Sequence, residues 1–268
     1  MNAVGGDDKA LPPNGVARRI VIVGGGFGGL ACARALAGSD TAVTVIDRRN
    51  HHLFQPLLYQ VSKAALSPAD IAVPMRKVLG QAKNVDVVLD EVVGINFDER
   101  KIRLAKGASL PFDQLVIATG SVYNYFANPQ WAKFAPAPKS ISDARTIRSQ
   151  LLRAFDEAET CLDDKRRTPL LTIIVVGGGP TGVEMAGSIA ELAQYTLRGN
   201  FRHIDPSSAR VVLIEAGQRL LATFPETMSV YAAIALDRLG VGCVWVTLYK
   251  PSTKTVFSLQ TTGSRQER

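Results

Sequence analysis

Cysteine is scarce in this chain, which has three cysteines among 268 residues. Cys32, Cys161 and Cys243 form no C-x-x-C pair or other close pair, so the sequence excludes a redox disulfide and a cysteine metal cluster. The chemistry of thioredoxin-reductase-like and lipoamide-dehydrogenase-like enzymes, which needs two close thiols, is therefore excluded. Scattered thiols suit a reducing compartment.

Long apolar runs are also missing, since no stretch approaches the roughly 20 apolar residues that a helix needs to cross a bilayer. Residues 1–18 contain glycine, proline, aspartate and lysine without a hydrophobic segment. They are predicted to form a flexible leader rather than a signal peptide. Together with the scattered thiols, this predicts a cytoplasmic protein or one at the cytoplasmic face of a membrane.

Histidine is equally scarce, with three residues in the chain. His51 and His52 are adjacent, which suits chelation poorly, so we predict no metal site and expect surface hydrogen bonds from both rings. The formal net charge is +7, but the basic residues are spread along the chain without interleaved aromatic residues. Nucleic acid is therefore not a predicted partner. The charge is compatible with a pull toward a membrane surface and equally with an unexceptional basic protein.

The chain does have two glycine fingerprints of the form G-x-G-x-x-G, each between an apolar run and a helix-compatible run. Their glycines are Gly24, Gly26 and Gly29 in the first copy and Gly177, Gly179 and Gly182 in the second. The first glycine permits a tight turn, the second lets the backbone approach a pyrophosphate, and the third lets the helix pack closely on the strand. The diphosphate then rests on the amides of the helix N-terminus.

A second apolar strand in each copy ends in an acid, Asp47 in the first and Glu215 in the second. Carboxylates at these positions are placed to accept hydrogen bonds from ribose hydroxyls. The alternative is that both are ordinary solvated strand ends. Glu215 would also repel a 2′-phosphate, which favours NADH over NADPH, although the nearby Arg219 weakens that inference.

Alternating strands and helices predict an α/β fold with two Rossmann-like domains, the first carrying a small inserted β-meander. The predicted segments are a leader over 1–18, a first nucleotide-binding domain over 19–138, a second over 139–245 and a divergent tail over 246–268. Strands over 85–89, 91–96 and 101–104 are assigned to the meander.

The sequence also contains signals for the starts and ends of helices. A helix is predicted from Ser67 toward Leu79 with a kink at Pro74, and another from a Ser142 cap to about Cys161. Further helices are expected over 180–198 and 225–239. The stretch 48–61 fits neither period and is predicted to be a functional loop.

That loop, Asp47-Arg48-Arg49-Asn50-His51-His52-Leu53-Phe54-Gln55-Pro56-Leu57-Leu58-Tyr59-Gln60-Val61, is more specific than the glycines. With Gly24 to Gly29, Ala118-Thr119-Gly120 and Gly177 to Glu184, it closely resembles type II NADH:quinone oxidoreductases, which are peripheral membrane flavoproteins. The resemblance covers Arg19 to about Val241. It implies an FAD site in the first domain, NADH as the substrate of the second, and a quinone as the electron acceptor.

The resemblance also implies roles for individual residues. The FAD diphosphate and ribose would be held by the first fingerprint and Asp47, including Gly24, Gly26, Phe27, Gly28 and Gly29. The flavin side would be lined by Arg48, His51, Gln55, Pro56, Ala118, Thr119 and Gly120. NADH would be held by Gly177, Gly179, Pro180, Thr181, Gly182 and Glu215.

Glu184 would point toward the contact between nicotinamide and flavin, as the one catalytic residue that the resemblance implies. A carboxylate in the first turn of a helix would also be explained by the helix dipole alone. Tyr59 and Phe54 are expected to pack in a core. Because the flavin supplies the hydride chemistry, no nucleophile or metal is required.

After Gly242 the sequence departs from the resemblance, and the chain is interpreted as a truncated member whose tail forms two β runs or stays disordered. We expect exposed apolar surface, weak or absent FAD binding and little quinone reduction by this chain alone. Two other functions remain open: a ferredoxin- or rubredoxin-type reductase, and a non-catalytic nucleotide-binding fragment. Oligomeric state is not predicted.

Overall fold

The computed structural model describes residues 18–125, 128–249 and 256–260, and contacts divide the chain into two compact units. Unit 1 comprises Met1–Phe54 and Ala72–Val122, and unit 2 comprises Gln55–Ile71 and Tyr123–Arg268. All of the predicted leader except Arg18 lies outside the described residues, as does most of the predicted tail. The ligand-based domain boundaries at 138 and 245 stay predictions, because contacts alone define the two units.

Strands and helices alternate along the chain. The strands are β1 (Arg19–Val23), β2 (Ala42–Asp47), β3 (His51–Leu53), β4 (Ala72–Pro74), β5 (Val85–Leu89), β6 (Val92–Asn96), β7 (Lys101–Leu104), β8 (Ser109–Pro111), β9 (Gln114–Ile117), β10 (Thr172–Val176), β11 (Arg210–Glu215), β12 (Gly242–Tyr249) and β13 (Val256–Gln260). The helices are α1 (Phe27–Ala35), α2 (Leu58–Ser62), α3 (Met75–Leu79), α4 (Ile141–Thr160), α5 (Asp164–Leu170), α6 (Pro180–Glu191) and α7 (Glu226–Arg238). Within the described residues, no helix is long and apolar enough to span a membrane.

Unit 1 is built on a four-stranded parallel sheet in the order β5-β2-β1-β9. Alternate residues of the central strand β1 face opposite sides. Ile22 packs with Leu30 of α1 and Leu79 of α3, whereas Val21 packs with Ile102 of the antiparallel sheet β6-β7-β8. Helices therefore cover one face of the parallel sheet and the meander covers the other.

Unit 2 repeats the first part of this plan. Its sheet has the order β10-β11-β12-β13, in which the first three strands are parallel and β13 is antiparallel to β12. Leu213 of β11 lies in a core with Phe155 of α4, Ile189 of α6 and Leu236 of α7. The predicted α/β class with two Rossmann-like units is confirmed.

The predicted meander is right in kind and wrong in one strand. Val85–Leu89 does not belong to it: this strand, β5, pairs in parallel with β2, because α3 returns the chain to the edge of the main sheet. The third meander strand is Ser109–Pro111, which is too short to give a periodic signal.

The helix predicted from Ser67 toward Leu79 is also wrong. Ser67 does cap a turn, since its Oγ accepts the Ala69 N–H and its own N–H donates to Asp70 Oδ2 at 2.7 Å. The turn ends at Asp70, however, and Ala72–Pro74 is a strand paired antiparallel with β3. Pro74 cannot continue a helix, so α3 starts after it.

Two other helices differ in detail from the prediction. The cap of α4 is Ser140 rather than Ser142: Ser140 Oγ accepts the Asp143 N–H at 3.2 Å and Asp143 accepts the Ser140 N–H at 2.8 Å. The regular part of α6 ends at Glu191 and continues as a π-helical turn over Leu192–Thr196. The segment 48–61 is not irregular throughout, because it contains β3 and α2.

The strands that precede the two fingerprints, β1 and β10, are equivalent in position but not in burial. Val21 of β1 is 2% exposed, whereas Ile174 at the same position of β10 is 58% exposed and Val176 is 71% exposed. The meander covers Val21, and the described residues of unit 2 provide no such layer over β10, which is also the first strand of its sheet order. Part of the expected apolar surface thus lies on β10.

We expect this strand to drive self-association, because exposed apolar edge strands pair with other chains. Ile174→Thr should lower concentration-dependent light scattering and raise the soluble limit, since it retains strand propensity while reducing apolar surface. Val230→Thr, at a 53% exposed position of α7, is the matched control. Equal improvement by both variants would contradict a specific role of β10.

A second prediction concerns the ion pair that joins the starts of β1 and β9. Asp113 accepts three hydrogen bonds from Arg19, at 2.8 Å from the backbone N, 3.1 Å from Nε and 2.8 Å from Nη2. The side-chain and backbone hydrogen bonds from Arg19 hold the pKa of Asp113 well below its usual range. A carboxyl whose pKa is lower in the folded state stabilises the fold above its unfolded-state pKa of about 3.9, and this contribution declines as the pH falls below that value.

Asp113→Asn should therefore lower the melting temperature most at pH 7, and the difference from the wild type should shrink toward pH 3. Thermal unfolding followed by circular dichroism at both pH values measures it. Asp98→Asn, in the exposed turn between β6 and β7, controls for the loss of one carboxylate. A deficit that is the same at pH 7 and pH 3 would show that the ion pair does not stabilise unit 1.

Candidate functional site

The three glycines of the first fingerprint perform three different tasks. Gly24 has a φ of +107°, and a Cβ there would lie 2.3 Å from the carbonyl oxygen of Ala118. A Cβ on Gly29 would lie 1.8 Å from the carbonyl oxygen of Gly24. At Gly26 a Cβ would meet nothing within 4 Å. Two positions thus lack room for a side chain within the fold, and the middle one opens onto free space.

The second fingerprint, in unit 2, repeats this pattern except that a Cβ on its first glycine would meet nothing within 4 Å. Gly177 has a φ of +102°. A Cβ on Gly182 would lie 1.7 Å from the carbonyl oxygen of Gly177, and one on Gly179 would meet nothing within 4 Å. The N–H of the first glycine also has the same partner in both copies, the carbonyl of the residue before the acid, at 2.7 Å in unit 1 and 2.8 Å in unit 2.

Both fingerprints lead directly into a helix. Gly26 is the N-cap of α1 and Gly179 is the N-cap of α6, and neither cap makes a side-chain hydrogen bond. Phe27, Gly28, Pro180 and Thr181 follow in the first turns, and all are exposed. Because the first amides of a helix lack intrahelical acceptors and lie at its positive end, open space in front of them fits an anionic diphosphate.

The two acids are not freely solvated strand ends. Asp47 is 16% exposed, its Oδ2 accepts the Gly25 N–H at 2.7 Å and its Oδ1 accepts the Arg49 N–H at 2.8 Å. Glu215 accepts the N–H groups of Gly178 and Gly217. Each carboxylate oxygen keeps a further acceptor site for a hydroxyl. The carboxylates are therefore held at the fingerprints by backbone donors.

Arg219 does not reach toward a phosphate position in unit 2. Its Nη1 donates to the carbonyl of Phe224 at 2.9 Å and its Nη2 donates to the carbonyl of Ala222 at 2.8 Å. The guanidinium thus closes its own turn. This leaves the negative charge of Glu215 as the local electrostatic feature next to the second fingerprint.

The first part of the signature loop belongs to unit 1. Arg48 is exposed and lies 3.5 Å from the carboxylate of Glu91. His51 Nδ1 lies 3.2 Å from Asn50 Oδ1, and burial, followed by the charge of Arg49, lowers the pKa of His51. The expectation of surface hydrogen bonds holds for His51. No cluster of three or more metal-ligating side chains occurs among the described residues.

His52 has a different environment from its neighbour. Its Nδ1 lies 3.2 Å from the carbonyl oxygen of Gly25, and its ring meets that of Phe27 edge to face at 5.0 Å between centroids. The ring of Phe54 also meets the ring of Phe27 edge to face, at 5.5 Å between centroids. Phe54 is 44% exposed, so the prediction that it packs in a core is wrong.

The second part of the loop belongs to unit 2. Gln55 and Pro56 form a single helical turn before α2. In α2, Leu58, Val61 and Ser62 are buried, and Tyr59 packs against the unit 2 core, as predicted. Lys63 Nζ lies 2.9 Å from Glu191 Oε2 of α6. A motif that is continuous in sequence is therefore divided between two units.

Ala118-Thr119-Gly120 follows β9 in unit 1. Ala118 backs the turn at Gly24, and its Cβ lies 3.9 Å from where a Cβ on Gly28 would be. Thr119 and Gly120 are exposed. The structure thus brings Ala118 and the backbone N of Thr119 close to the first fingerprint, and Gly120 lies on the surface of unit 1.

Glu184 is the fifth residue of α6 and lies beyond its first turn. The helix dipole acts on charges in the first turn, so it does not account for this carboxylate as expected. Burial raises the pKa of Glu184 although part of the side chain is exposed. Glu184 is an exposed residue of α6, and the direction of this pKa shift is what makes it a candidate for chemistry.

Sequence reasoning missed the second glycine of each Gly-Gly-Gly run, which is Gly25 in unit 1 and Gly178 in unit 2. Both are buried, and both donate an N–H to the acid of their own unit. A Cβ on Gly178 would lie 2.6 Å from Leu220 Cδ2, and one on Gly25 would lie 2.1 Å from Met75 Sδ. The available signal was that both fingerprints read Gly-Gly-Gly, where the general pattern allows any residue in the middle.

Comparison with known proteins agrees with this geometry. The chain is 46% identical over 238 residues to the type II NADH:quinone oxidoreductase Ndh of Mycobacterium tuberculosis and 43% identical over 244 residues to NdhA of the same organism. The alignments cover 88% and 90% of this chain and 51% of each relative, so the chain spans about half the length of these relatives.

A solved structure of NDH2 from Plasmodium falciparum in complex with NADH superposes with a TM-score of 0.79 at 25% identity. The match covers 93% of this chain and 52% of that chain. The resemblance to type II NADH:quinone oxidoreductases is confirmed by these relatives. A family model described as pyridine nucleotide-disulphide oxidoreductase matches residues 18–266, and the chain belongs to that family.

Proposed function

We propose that unit 1 holds FAD, that unit 2 holds NADH, and that the chain serves the oxidation of NADH with a quinone as the electron acceptor. The observation that carries the proposal is the duplicated cradle: an open position, Gly26 or Gly179, between a first glycine at positive φ and a third glycine that has no room for a side chain. The names of the relatives supply the reaction, because the cradle by itself specifies only a dinucleotide diphosphate.

In unit 1 the first-turn amides of α1 would bind the diphosphate, and Asp47 would accept a ribose hydroxyl while its backbone donors fix its position. We propose that Arg48, His51, Gln55, Pro56, Thr119 and Gly120 line the flavin. When bound, the flavin would accept a hydride from NADH and deliver two electrons to the quinone.

In unit 2 the amides at the start of α6 would bind the diphosphate of NADH, with Pro180 and Thr181 in the first turn. Glu215 would accept a ribose hydroxyl. NADH is favoured over NADPH because Glu215 would repel a 2′-phosphate while Arg219, occupied by two carbonyls, offers it no partner. Arg219 therefore does not weaken the preference for NADH.

Glu184 is proposed as the catalytic residue near the nicotinamide. Its carboxylate is partly desolvated, and the charge near a reacting ring affects hydride transfer. The quinone, a location in the cytoplasm or at the cytoplasmic face of a membrane, and the absence of nucleic acid partners remain parts of the proposal. They rest on the relatives' names, the free cysteines and the spread of basic charge.

The first test separates ligand space from fold space in each fingerprint. Gly26→Ala should raise the FAD dissociation constant by roughly tenfold or more, because a methyl group enters the diphosphate position, and should leave the melting temperature nearly unchanged. Gly29→Ala should instead cost about 1–3 kcal/mol of stability through overpacking. Flavin fluorescence quenching and thermal unfolding measure the two effects.

Gly179→Ala and Gly182→Ala form the matched pair for NADH in unit 2, with NADH fluorescence as the readout. Each unit 1 variant that folds should bind NADH like the wild type, and each unit 2 variant that folds should bind FAD like the wild type. FAD affinity that is unaffected by Gly26→Ala would contradict the site in unit 1. NADH binding without flavin binding would identify a nucleotide-binding fragment, and the expected weakness of FAD binding is measured in the same titration.

The second test concerns Glu184. Glu184→Gln should slow NADH oxidation by the FAD-loaded chain by roughly tenfold to a hundredfold, because a proposed active-site charge is removed. The NADH dissociation constant should stay close to that of the wild type. Glu226→Gln, in the first turn of α7, controls for loss of a helix carboxylate. A lower melting temperature with an unchanged rate would assign Glu184 a structural role.

A further inference from the structure

In each fingerprint, the N–H and the carbonyl of the second residue of the Gly-Gly-Gly run, Gly25 or Gly178, both have a hydrogen-bond partner. In unit 2 the Gly178 N–H donates to Glu215, and the Gly178 carbonyl accepts the Leu221 N–H at 2.7 Å. In unit 1 the Gly25 N–H donates to Asp47 at 2.7 Å. The Gly25 carbonyl lies 3.2 Å from His52 Nδ1. A histidine side chain thus occupies in unit 1 the role that a backbone amide has in unit 2.

This interaction sets the chemical form of the histidine. A carbonyl oxygen can only accept a hydrogen bond, so His52 Nδ1 must carry a proton. Gly25 is buried, and a buried carbonyl that loses its hydrogen-bond donor destabilises the fold. The fold therefore has a reason to keep His52 in the Nδ1–H form.

The ring of His52 also contacts the residue on the other side of the open glycine. Phe27, the first residue of α1, meets the His52 ring at 5.0 Å with an interplanar angle of 89°. Edge-to-face pairs of this kind fix ring orientation. Gly26, whose missing side chain opens the cradle, lies between the two residues that His52 touches.

We infer that His52 is a positioning residue for the dinucleotide cradle of unit 1: through Nδ1–H it holds the Gly25 carbonyl, and through its ring it holds Phe27. The amides of Gly26 and Phe27, at the start of α1, are thereby preorganised for an anionic diphosphate. The ligand in this inference rests on the proposed function, whereas the clamp itself does not.

Two substitutions separate the hydrogen bond from the ring. His52→Asn keeps an N–H donor near the Nδ1 position and loses the aromatic ring, and His52→Phe keeps the ring and loses the donor. His203→Asn and His203→Phe are the matched controls, because His203 is exposed in unit 2 and its described hydrogen bonds are donated by its backbone N–H. Thermal unfolding of each variant confirms that it is folded.

Two measurements on the chain without nucleotide test the clamp. Nitrogen-15 NMR of the imidazole should show the Nδ1–H tautomer for His52. Amide exchange at Gly25, Gly26 and Phe27 should accelerate in His52→Phe by roughly fivefold to tenfold, as expected for the loss of one hydrogen bond, and should be largely restored in His52→Asn. Neither His203 variant should change it. An Nε2–H tautomer, or exchange that is equal in wild type and His52→Phe, would overturn the inference.

The FAD titration tests the link to the ligand. His52→Phe should raise the dissociation constant by roughly fivefold to tenfold, and His52→Asn should remain close to the wild type. If both variants bind FAD as the wild type does, His52 does not position the cradle. If neither the wild type nor any variant binds FAD, the proposed function of unit 1 fails. The tautomer of His52 and the amide exchange rates still decide whether the clamp exists.

Discussion

Both units depend on the contact between the start of a helix and the turn that precedes it. The third glycine of each fingerprint, Gly29 or Gly182, approaches the carbonyl of the first glycine so closely that a Cβ would lie less than 2 Å from the oxygen, at 1.8 Å and 1.7 Å. Any side chain there would push the helix outward. Because this contact is made, the first helix amides and the positive end of the helix dipole face the open position at Gly26 or Gly179.

The acids show how one physical role is met by different side chains. Asp47 and Glu215 differ by a methylene group. Each nevertheless accepts a hydrogen bond from the second glycine of the Gly-Gly-Gly run in its fingerprint and another from a backbone N–H two residues further along the chain than the acid. These donors hold a negative charge beside the helix N-terminus before any ligand is present. A carboxylate fixed in this way meets a ribose hydroxyl without losing further side-chain freedom.

The units differ where their surroundings differ. In unit 1 the meander covers the face of β1 that carries Val21, and the ion pair of Arg19 with Asp113 joins β1 to β9. In the described part of unit 2 the equivalent face of β10 exposes Ile174. The signature loop is divided in a similar way: His52 contacts the first fingerprint, whereas Leu58 and Val61 contribute to the packing of unit 2. Charge and aromatic character are used at one end of the motif and apolar volume at the other.

The amino-acid sequence by itself determined the two fingerprints, the acids that follow them, the α/β class and the family resemblance, because glycine spacing and strand periodicity are local properties of the backbone. It did not determine that Val85–Leu89 joins the parallel sheet, because a short apolar run carries no information about its pairing partner. It also left Phe54, Gly25 and His52 without correct roles. Those roles were decided by the tertiary structure, since a buried carbonyl acquires its donor, and a ring its neighbour, only when segments distant in sequence pack against each other.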